Sequence, residues 1–298
     1  MPSKILITGS SGYVCSYLIP LIRKRFEVTS IDVVDGIDTD IVSDIGADNL
    51  RDMLNFNEDY VVIHCAAARF DYGIQAGVYL NENVTKTRAF LNTLKALNVS
   101  QFIHVSSVAA IDGKKINYQD DLACDDAYRA TKYLQQCEVT HWCKENNVPL
   151  KVVLPSAIYD DIPRADKNIG KLQKITRFFP ILPRIQVKKS LTYLPKFCSF
   201  IEQIIGQPGS AVYLTIEKPV QTVTETMKEQ SGRHILTLPI PGLKVIVYAL
   251  AWLSWGLGSF LRRDPILLPS RVAKLFSDTS YSNIDDRIDC ESYNRTQR

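Results

Sequence analysis

The stretch "DDAYRATKY" places Tyr128 and Lys132 four residues apart. On a helix that spacing puts both side chains on one face. Upstream, "QFIHVSSVAA" carries an apolar run into two hydroxyls, Ser106 and Ser107. A hydroxyl, a phenol and an ammonium that converge suit one kind of chemistry. They can move a proton at a carbinol oxygen while a hydride leaves or joins the carbon. A free phenol titrates at about 10 and is a poor base near neutrality. A neighbouring ammonium and the positive nicotinamide ring of a hydride acceptor favour its phenolate. In this reading Tyr128 transfers the proton. Lys132 supports it and holds the nicotinamide ribose, and a serine fixes the substrate oxygen. With 14 tyrosines in the chain, a Tyr-x-x-x-Lys pair carries little weight alone. Its position behind a strand end is what gives it meaning. The competing reading is an ordinary amphipathic helix residue.

A hydride needs a carrier, and the start of the chain offers a place for one. "ILITGSSGYVCSYL" reads as an apolar strand, a turn and the opening of a helix. Gly9 permits a tight turn and Gly12 a close backbone approach to a pyrophosphate, which the helix N-terminus then attracts. Cys15 stands where a third glycine would serve helix–strand packing, and a small apolar thiol can occupy that place. Asp32, at the end of the next strand "FEVTSID", can accept hydrogen bonds from the adenosine ribose. "SIDVVDG" holds no arginine for a 2′-phosphate, which favours NAD over NADP. The residues offered to the cofactor here are Gly9, Ser11, Gly12, Tyr13, Val14 and Asp32.

These groups need a frame. Short apolar runs at "KILITG", "TSIDVV", "DIVSDI", "YVVIHCAAA", "QFIHVSSVAA" and "PLKVVLPSAIY" alternate with helical patterns. That pattern argues for a parallel sheet covered on both faces. The expected fold is α/β: a Rossmann-type doubly wound sheet with a smaller, mostly helical C-terminal region. Alternation fades near residue 155, where prolines and basic residues become denser. The expected organisation is therefore a dinucleotide-binding domain over 1–155 and a substrate-binding region over 156–298, with 210–232 returning to the main sheet. The 298 residues are 46 % hydrophobic and 22 % charged, an ordinary globular composition. A net charge of +3 with scattered Lys and Arg does not suit nucleic acid. Seven cysteines form no C-x-x-C pair, so reduced thiols are expected and no metal centre. The start "MPSKILIT" lacks the regions of a signal peptide, and a cytoplasmic location is expected.

Taken as an ordered set, these motifs resemble the extended short-chain dehydrogenase/reductases of the NAD-dependent epimerase/dehydratase type. The matching pieces are "TGSSGYV" at 8–14, Asp32, "DI" at 44–45, "HCAAA" at 64–68, "NV" at 83–84, "VSSVAA" at 105–110, "YRATK" at 128–132 and "LPSAIY" at 154–159. A late stretch, "AVYLTIEKPVQTVTETMKEQSG", resembles the family's returning strand, turn and helix. The resemblance implies that Asp44 and Ile45 sit near the adenine and that Ala66 and Ala67 line the cofactor cleft. It adds Asn83 and Pro155 to the NAD contacts and makes Ser107, the second of the two serines, the catalytic hydroxyl. Departures from the pattern are Cys15, Leu154 where arginine often precedes the proline, and Asp160 where glycine often follows the tyrosine.

Dehydratases of this family usually carry an acidic pair directly after the catalytic hydroxyl residue. Here Val108 and Ala109 follow Ser107. The resemblance then leaves a C4 epimerase or 4-ketoreductase of a nucleotide-linked sugar, acting as a homodimer. Arg184, Arg263 and Arg271 are candidates to hold a diphosphate, and each can also be an ordinary surface arginine. The segment "GLKVIVYALAWLSWGLGSFLRR" at 242–263 is nearly continuous apolar sequence. It is expected to belong to the folded second region rather than to span a bilayer, with peripheral membrane contact as the alternative. Two further readings stay open: a membrane-associated dehydrogenase of a lipid-linked sugar or sterol-like alcohol, and a non-catalytic NAD-binding sensor or scaffold.

Overall fold

A short run of apolar residues stopped by glycine builds the first element, strand β1 (Lys4–Thr8), whose Ile5, Leu6 and Ile7 are fully buried. The computed structural model describes residues 4–69, 75–161, 181–216, 220–231, 236–261 and 269–281. Helix α1 (Cys15–Ile22) buries Cys15, Leu18, Ile19 and Ile22 on one stripe. Strands β2 (Val28–Asp32), β3 (Ile41–Val42) and β4 (Asp59–His64) follow. A short helix α2 (Ala76–Leu80) passes through one π-helical turn, Asn81–Thr85, into α3 (Lys86–Leu94). Strand β5 (Asn98–Val105), the short α4 (Ala109–Gly113), the long α5 (Cys124–Glu145) and β6 (Leu150–Pro155) complete the alternation. Helix α5 opens on Asp125 and Asp126 and closes on Lys144, charges that suit the two ends of its dipole.

Seven strands form one sheet in the order β3-β2-β1-β4-β5-β6-β7, where β7 is Ala211–Thr215, and every pairing is parallel. Strands buried on both faces explain the unbroken apolar runs of the sequence. On one face Ile5, Ile7, Ile63, Ile103 and Val153 pack against Leu18, Ile19 and Ile22 of α1 and against Phe197 and Ile201 of α6 (Leu194–Ile204).

The chain divides into two compact units. Among the described residues the first holds 4–158 and 192–215, and the second holds the described part of 159–191 and 216–281. The second unit carries short strand pairs, such as Leu236–Leu238 beside Ile181–Pro183, besides its helices Val223–Ser231, Leu243–Leu261 and Pro269–Phe276.

One boundary differs from the sequence expectation in a way that matters. The apolar run "QFIHVSSVAA" is not strand to its end. The ladder stops at Val105, and Ala109 already belongs to α4. The Ser107 hydroxyl accepts the Ala109 N–H at 3.1 Å, and the Val108 N–H reaches the Pro155 carbonyl at 3.0 Å. These bonds turn the chain and hold Ser107 at the carboxyl edge of the sheet. Helix α4 then lies directly on α5: a Cβ at Gly113 would stand 2.0 Å from the Arg129 carbonyl oxygen. Backbone cannot yield as a side chain does. Gly113→Ala should therefore destabilise the protein by about 1–3 kcal/mol, the usual range for overpacking. Thermal melting checks this, and an unchanged melting temperature would contradict the close approach.

Candidate active site

In a doubly wound sheet, ligands bind at the carboxyl ends of the strands where the connections diverge. Here the chain leaves β1 toward β2 on one side, while β4 lies on the other. The loops after β1 and β4 meet at that point. Gly9 has φ +79°, and a Cβ there would stand 2.8 Å from the Ala66 nitrogen and 2.9 Å from its Cα. Only glycine fits, both by conformation and by space. The Gly12 N–H closes the turn on the Gly9 carbonyl at 3.0 Å. Helix α1 then begins with Val14 at its cap and no side-chain acceptor for its first N–H groups. Such an end is suited to a phosphate.

Cys15 is fully buried among Ile5, Ile7 and Ile63. A hydrogen bond with Cys65 and burial push its thiol well above the ordinary range, and burial pushes Cys198 on α6 up to about 12. Both are neutral filler, and Cys15 stands where a third glycine would allow closer packing. Asp32 ends β2 with its carboxylate turned onto the loop: one oxygen accepts the Ser11 N–H at 2.9 Å and the other the Val34 N–H at 3.1 Å. The glycine approach, the uncapped helix and the carboxylate at the end of β2 together fit a dinucleotide. Asp44 is engaged otherwise. Burial opposes its charge, yet hydrogen bonds from Lys86, 2.6 Å away, and from the Gly46 N–H hold it below the usual carboxylate range. Ile45 beside it is buried.

The two serines at the end of β5 part ways. Ser106 is buried and its hydroxyl donates to Gln136 Oε1 of α5 at 2.8 Å. Ser107 stays half-buried. Tyr128 is half-buried too; its ring meets Tyr79 edge-on at 6.2 Å, and the Arg69 guanidinium lies 5.4 Å from its centre. One helical turn on, Lys132 is only 2 % exposed. Its ammonium donates to Gln135 Oε1 at 2.6 Å and approaches the Val105 carbonyl at 3.5 Å. Burial lowers the Lys132 pKa to about 7, against a smaller upward pull from Cys65.

Sequence reasoning missed Gln135. Its amide donates to the Ala66 carbonyl and to Thr87 Oγ1, each at 3.0 Å, with His64 Nε2 3.2 Å away. His64 Nδ1 in turn meets Thr8 Oγ1 at 2.7 Å. Burial and the Lys132 charge keep His64 neutral, with its pKa lowered to about 3. Thr8 and Ala66, the residues that flank the Gly9 contact, are thus joined to Lys132 through a buried chain of side chains. The signal was a second polar residue one turn beyond the lysine, on a helix that buries one face.

Ala66 is half-buried and Ala67 exposed on the loop after β4. Asn83 is fully buried in the π-helical turn. Its Oδ1 accepts the Ala68 N–H at 2.6 Å, and its Nδ2 donates to the Ala68 carbonyl and to Thr131 Oγ1, each at 3.2 Å. It latches that loop to α5. Pro155 ends β6 and anchors the turn behind Ser107.

The family model described as the NAD dependent epimerase/dehydratase family matches residues 5–175. A UDP-glucose 4-epimerase of Vibrio cholerae is 23 % identical over 265 residues, covering 81 % of this chain and 80 % of that protein. The structure of UDP-N-acetylglucosamine 4-epimerase from Bacillus cereus is similar with a TM-score of 0.65 at 16 % identity, covering 80 % of this chain and 85 % of that one. That of UDP-glucuronic acid 4-epimerase from Bacillus cereus, in complex with NAD, gives 0.60 at 18 % identity, covering 92 % and 94 %. The structural likenesses concern the fold.

Two predictions follow from the geometry. Asp32 should make NADH bind more tightly than NADPH in a fluorescence titration, and Asp32→Ala should narrow that gap; a parent that prefers NADPH would remove the role given to Asp32. The second concerns Lys132, whose ordinary pKa of 10.5 falls to about 7 in the fold. Between these values the unfolded chain binds the extra proton, so this group makes stability rise with pH across the window and fall as pH drops through about 7. The melting temperature of cofactor-free protein should therefore climb from neutral to alkaline pH more steeply than that of Lys132→Met. Parallel curves would contradict the buried ammonium.

Proposed function

This chain belongs to the NAD-dependent epimerase/dehydratase family, and from that premise we propose that it oxidises and re-reduces, or simply reduces, the C4 position of a nucleotide-linked sugar. The observation that carries the reading is the ammonium of Lys132, buried one helical turn from the half-exposed Tyr128 at the carboxyl edge of the sheet. The first unit is read as the cofactor-binding part and the second as the substrate-binding part.

NAD, when bound, supplies the acceptor and donor of hydride. Gly9, Gly12 and the start of α1 hold its pyrophosphate, and Asp32 its adenosine ribose. Tyr128 removes the proton from the substrate hydroxyl at its phenolic oxygen and returns it on reduction. Lys132 stabilises the phenolate and holds the nicotinamide ribose, while Ser107 donates a hydrogen bond to the substrate oxygen. The bond of Ser106 to Gln136 favours Ser107 over Ser106 for that role. Val108 and Ala109 offer no acid or base for eliminating water, which separates this site from the dehydratase branch of the family.

The names of the relatives, all 4-epimerases of UDP-sugars, support a nucleotide-linked substrate. So does a cavity of about 480 Å³ within the second unit, lined by Arg184 and Lys244 together with Pro239–Gly242 and Phe276. Two cations at one cavity suit a diphosphate. Arg263 and the side chain of Arg271 lie outside the described residues.

Tyr128→Phe keeps the ring and its packing on Tyr79 but removes the transferable proton. With a panel of UDP-sugars, followed by hydride transfer and product stereochemistry, it should lose about 10²–10⁴-fold in rate and bind NAD normally. Lys132→Ala should lose cofactor affinity as well as rate, and Ser107→Ala should lose less than Tyr128→Phe. Full activity of Tyr128→Phe on a substrate the parent converts would place the reacting centre elsewhere.

A further inference from the structure

The helix Leu243–Leu261 of the second unit is apolar on two sides at once. Leu243, Val247, Ala251 and Ser254 recur at helical spacing and are buried or half-buried, Ala251 completely. That side packs within the unit. At the same period run Val245, Ile246, Ala249, Leu250 and Leu253, all exposed. Val245 is 72 % and Leu253 62 % exposed, and Trp252 on the flank 57 %. A surface helix ordinarily turns polar residues to water. Here Lys244 is the one charged residue in "LKVIVYALAWLSWGLGSFL". A contiguous apolar face of this kind marks a docking surface.

Charge decides what docks. The second unit, residues 159–191 and 216–282, holds 16 Lys and Arg against 8 Asp and Glu, while the whole chain holds 35 against 32. Along the sequence the positive charge is concentrated in the two segments from which this unit is drawn, and the rest of the chain is net negative. Two copies meeting through this unit would bring like charges together. An anionic lipid surface would be attracted to it, and Arg262 and Arg263 follow directly on the helix in sequence. Exposed Leu, Ile and Trp beside basic residues is the composition that lies in a headgroup layer. Among the described residues no helix is long and apolar enough to cross a membrane. The other side of this helix is already packed within its own unit.

We propose that Val245, Ile246, Leu250 and Leu253 insert into the headgroup region of an anionic bilayer and hold the enzyme there peripherally. The proposal is independent of the Ser107–Tyr128–Lys132 reading. It is tested by co-sedimentation of the full chain with vesicles of phosphatidylcholine alone and of phosphatidylcholine with phosphatidylglycerol. The parent should bind the anionic vesicles at least tenfold better than the neutral ones, and high salt should weaken the binding. Ile246→Gln/Leu250→Gln/Leu253→Gln should lose binding at least tenfold while keeping its melting temperature and its NADH titration. If that variant fails to fold, the parent alone decides: brominated lipid should quench the tryptophan fluorescence of this helix, which carries Trp252 and Trp255, while Trp142 is buried. A parent that ignores anionic vesicles, or shows no quenching, overturns the proposal. So does a parent that is dimeric in light scattering, becomes monomeric in the triple variant and binds no vesicles, since the face then belongs to a second copy.

Discussion

Between Gly9 and Ala66 there is no room for a side chain. That backbone contact exists because β1 and β4 are neighbours in the sheet while β2 follows β1 on the far side. It closes the floor of the crevice and sets the direction in which the chain enters α1. It also brings the loop of Ala66–Ala68 within reach of α3 and α5. Gln135 and Asn83 can then bind that loop from beneath. The cofactor loop and the lysine of the proposed reaction are thereby parts of one buried assembly.

The polar groups under the carboxyl edge are under a strict demand. A buried ammonium or imidazole must be hydrogen-bonded or neutral. Lys132 is met by Gln135, and His64 by Thr8 and Thr87. His104 stacks on His64 at 5.6 Å and has no hydrogen-bond partner among the described residues; burial first and Lys132 second keep it uncharged. One cation therefore dominates the local field, and it sits below the site. Arg88 on α3 reaches the fully buried Glu138 of α5 at 2.5 Å and fastens the two helices that frame this network. Burial removes the water that would screen this ammonium and at the same time lowers its pKa to about 7, so its charge is strong in effect but lost above neutral pH.

The two units differ in kind. The first organises polar groups around a buried centre. The second collects positive charge and leaves apolar residues in water along one helix and at Ile181, Leu236, Leu238 and Ile240. Neither trait is needed to build a substrate pocket, and both suit a surface. The cavity with Arg184 and Lys244 lies in this unit as well, so the proposed diphosphate recognition and the proposed surface attachment would draw on the same excess of cations.

Much was legible along the chain because it depends on local pattern. Apolar runs cut by glycine predict buried parallel strands, and Gly9, Gly12 and Asp32 have the type and spacing expected of a dinucleotide loop. Tyr128 and Lys132 share a face of any helix they occupy. What the sequence could not decide is what requires partners from distant elements. Ser106 and Ser107 are equivalent as letters; only the approach of Gln136, thirty residues on, ties one and leaves the other at the edge. Asn83 matches a family motif, yet its side chain is held by Ala68 and Thr131 across the fold. The turn after Val105 depends on Ser107 and on β6, so a run that reads as strand ends early. Hydrophobic periodicity reports which face of an element is buried. Which atom meets which is settled by packing, where backbone contacts such as Gly9 on Ala66 and Gly113 on Arg129 leave one arrangement.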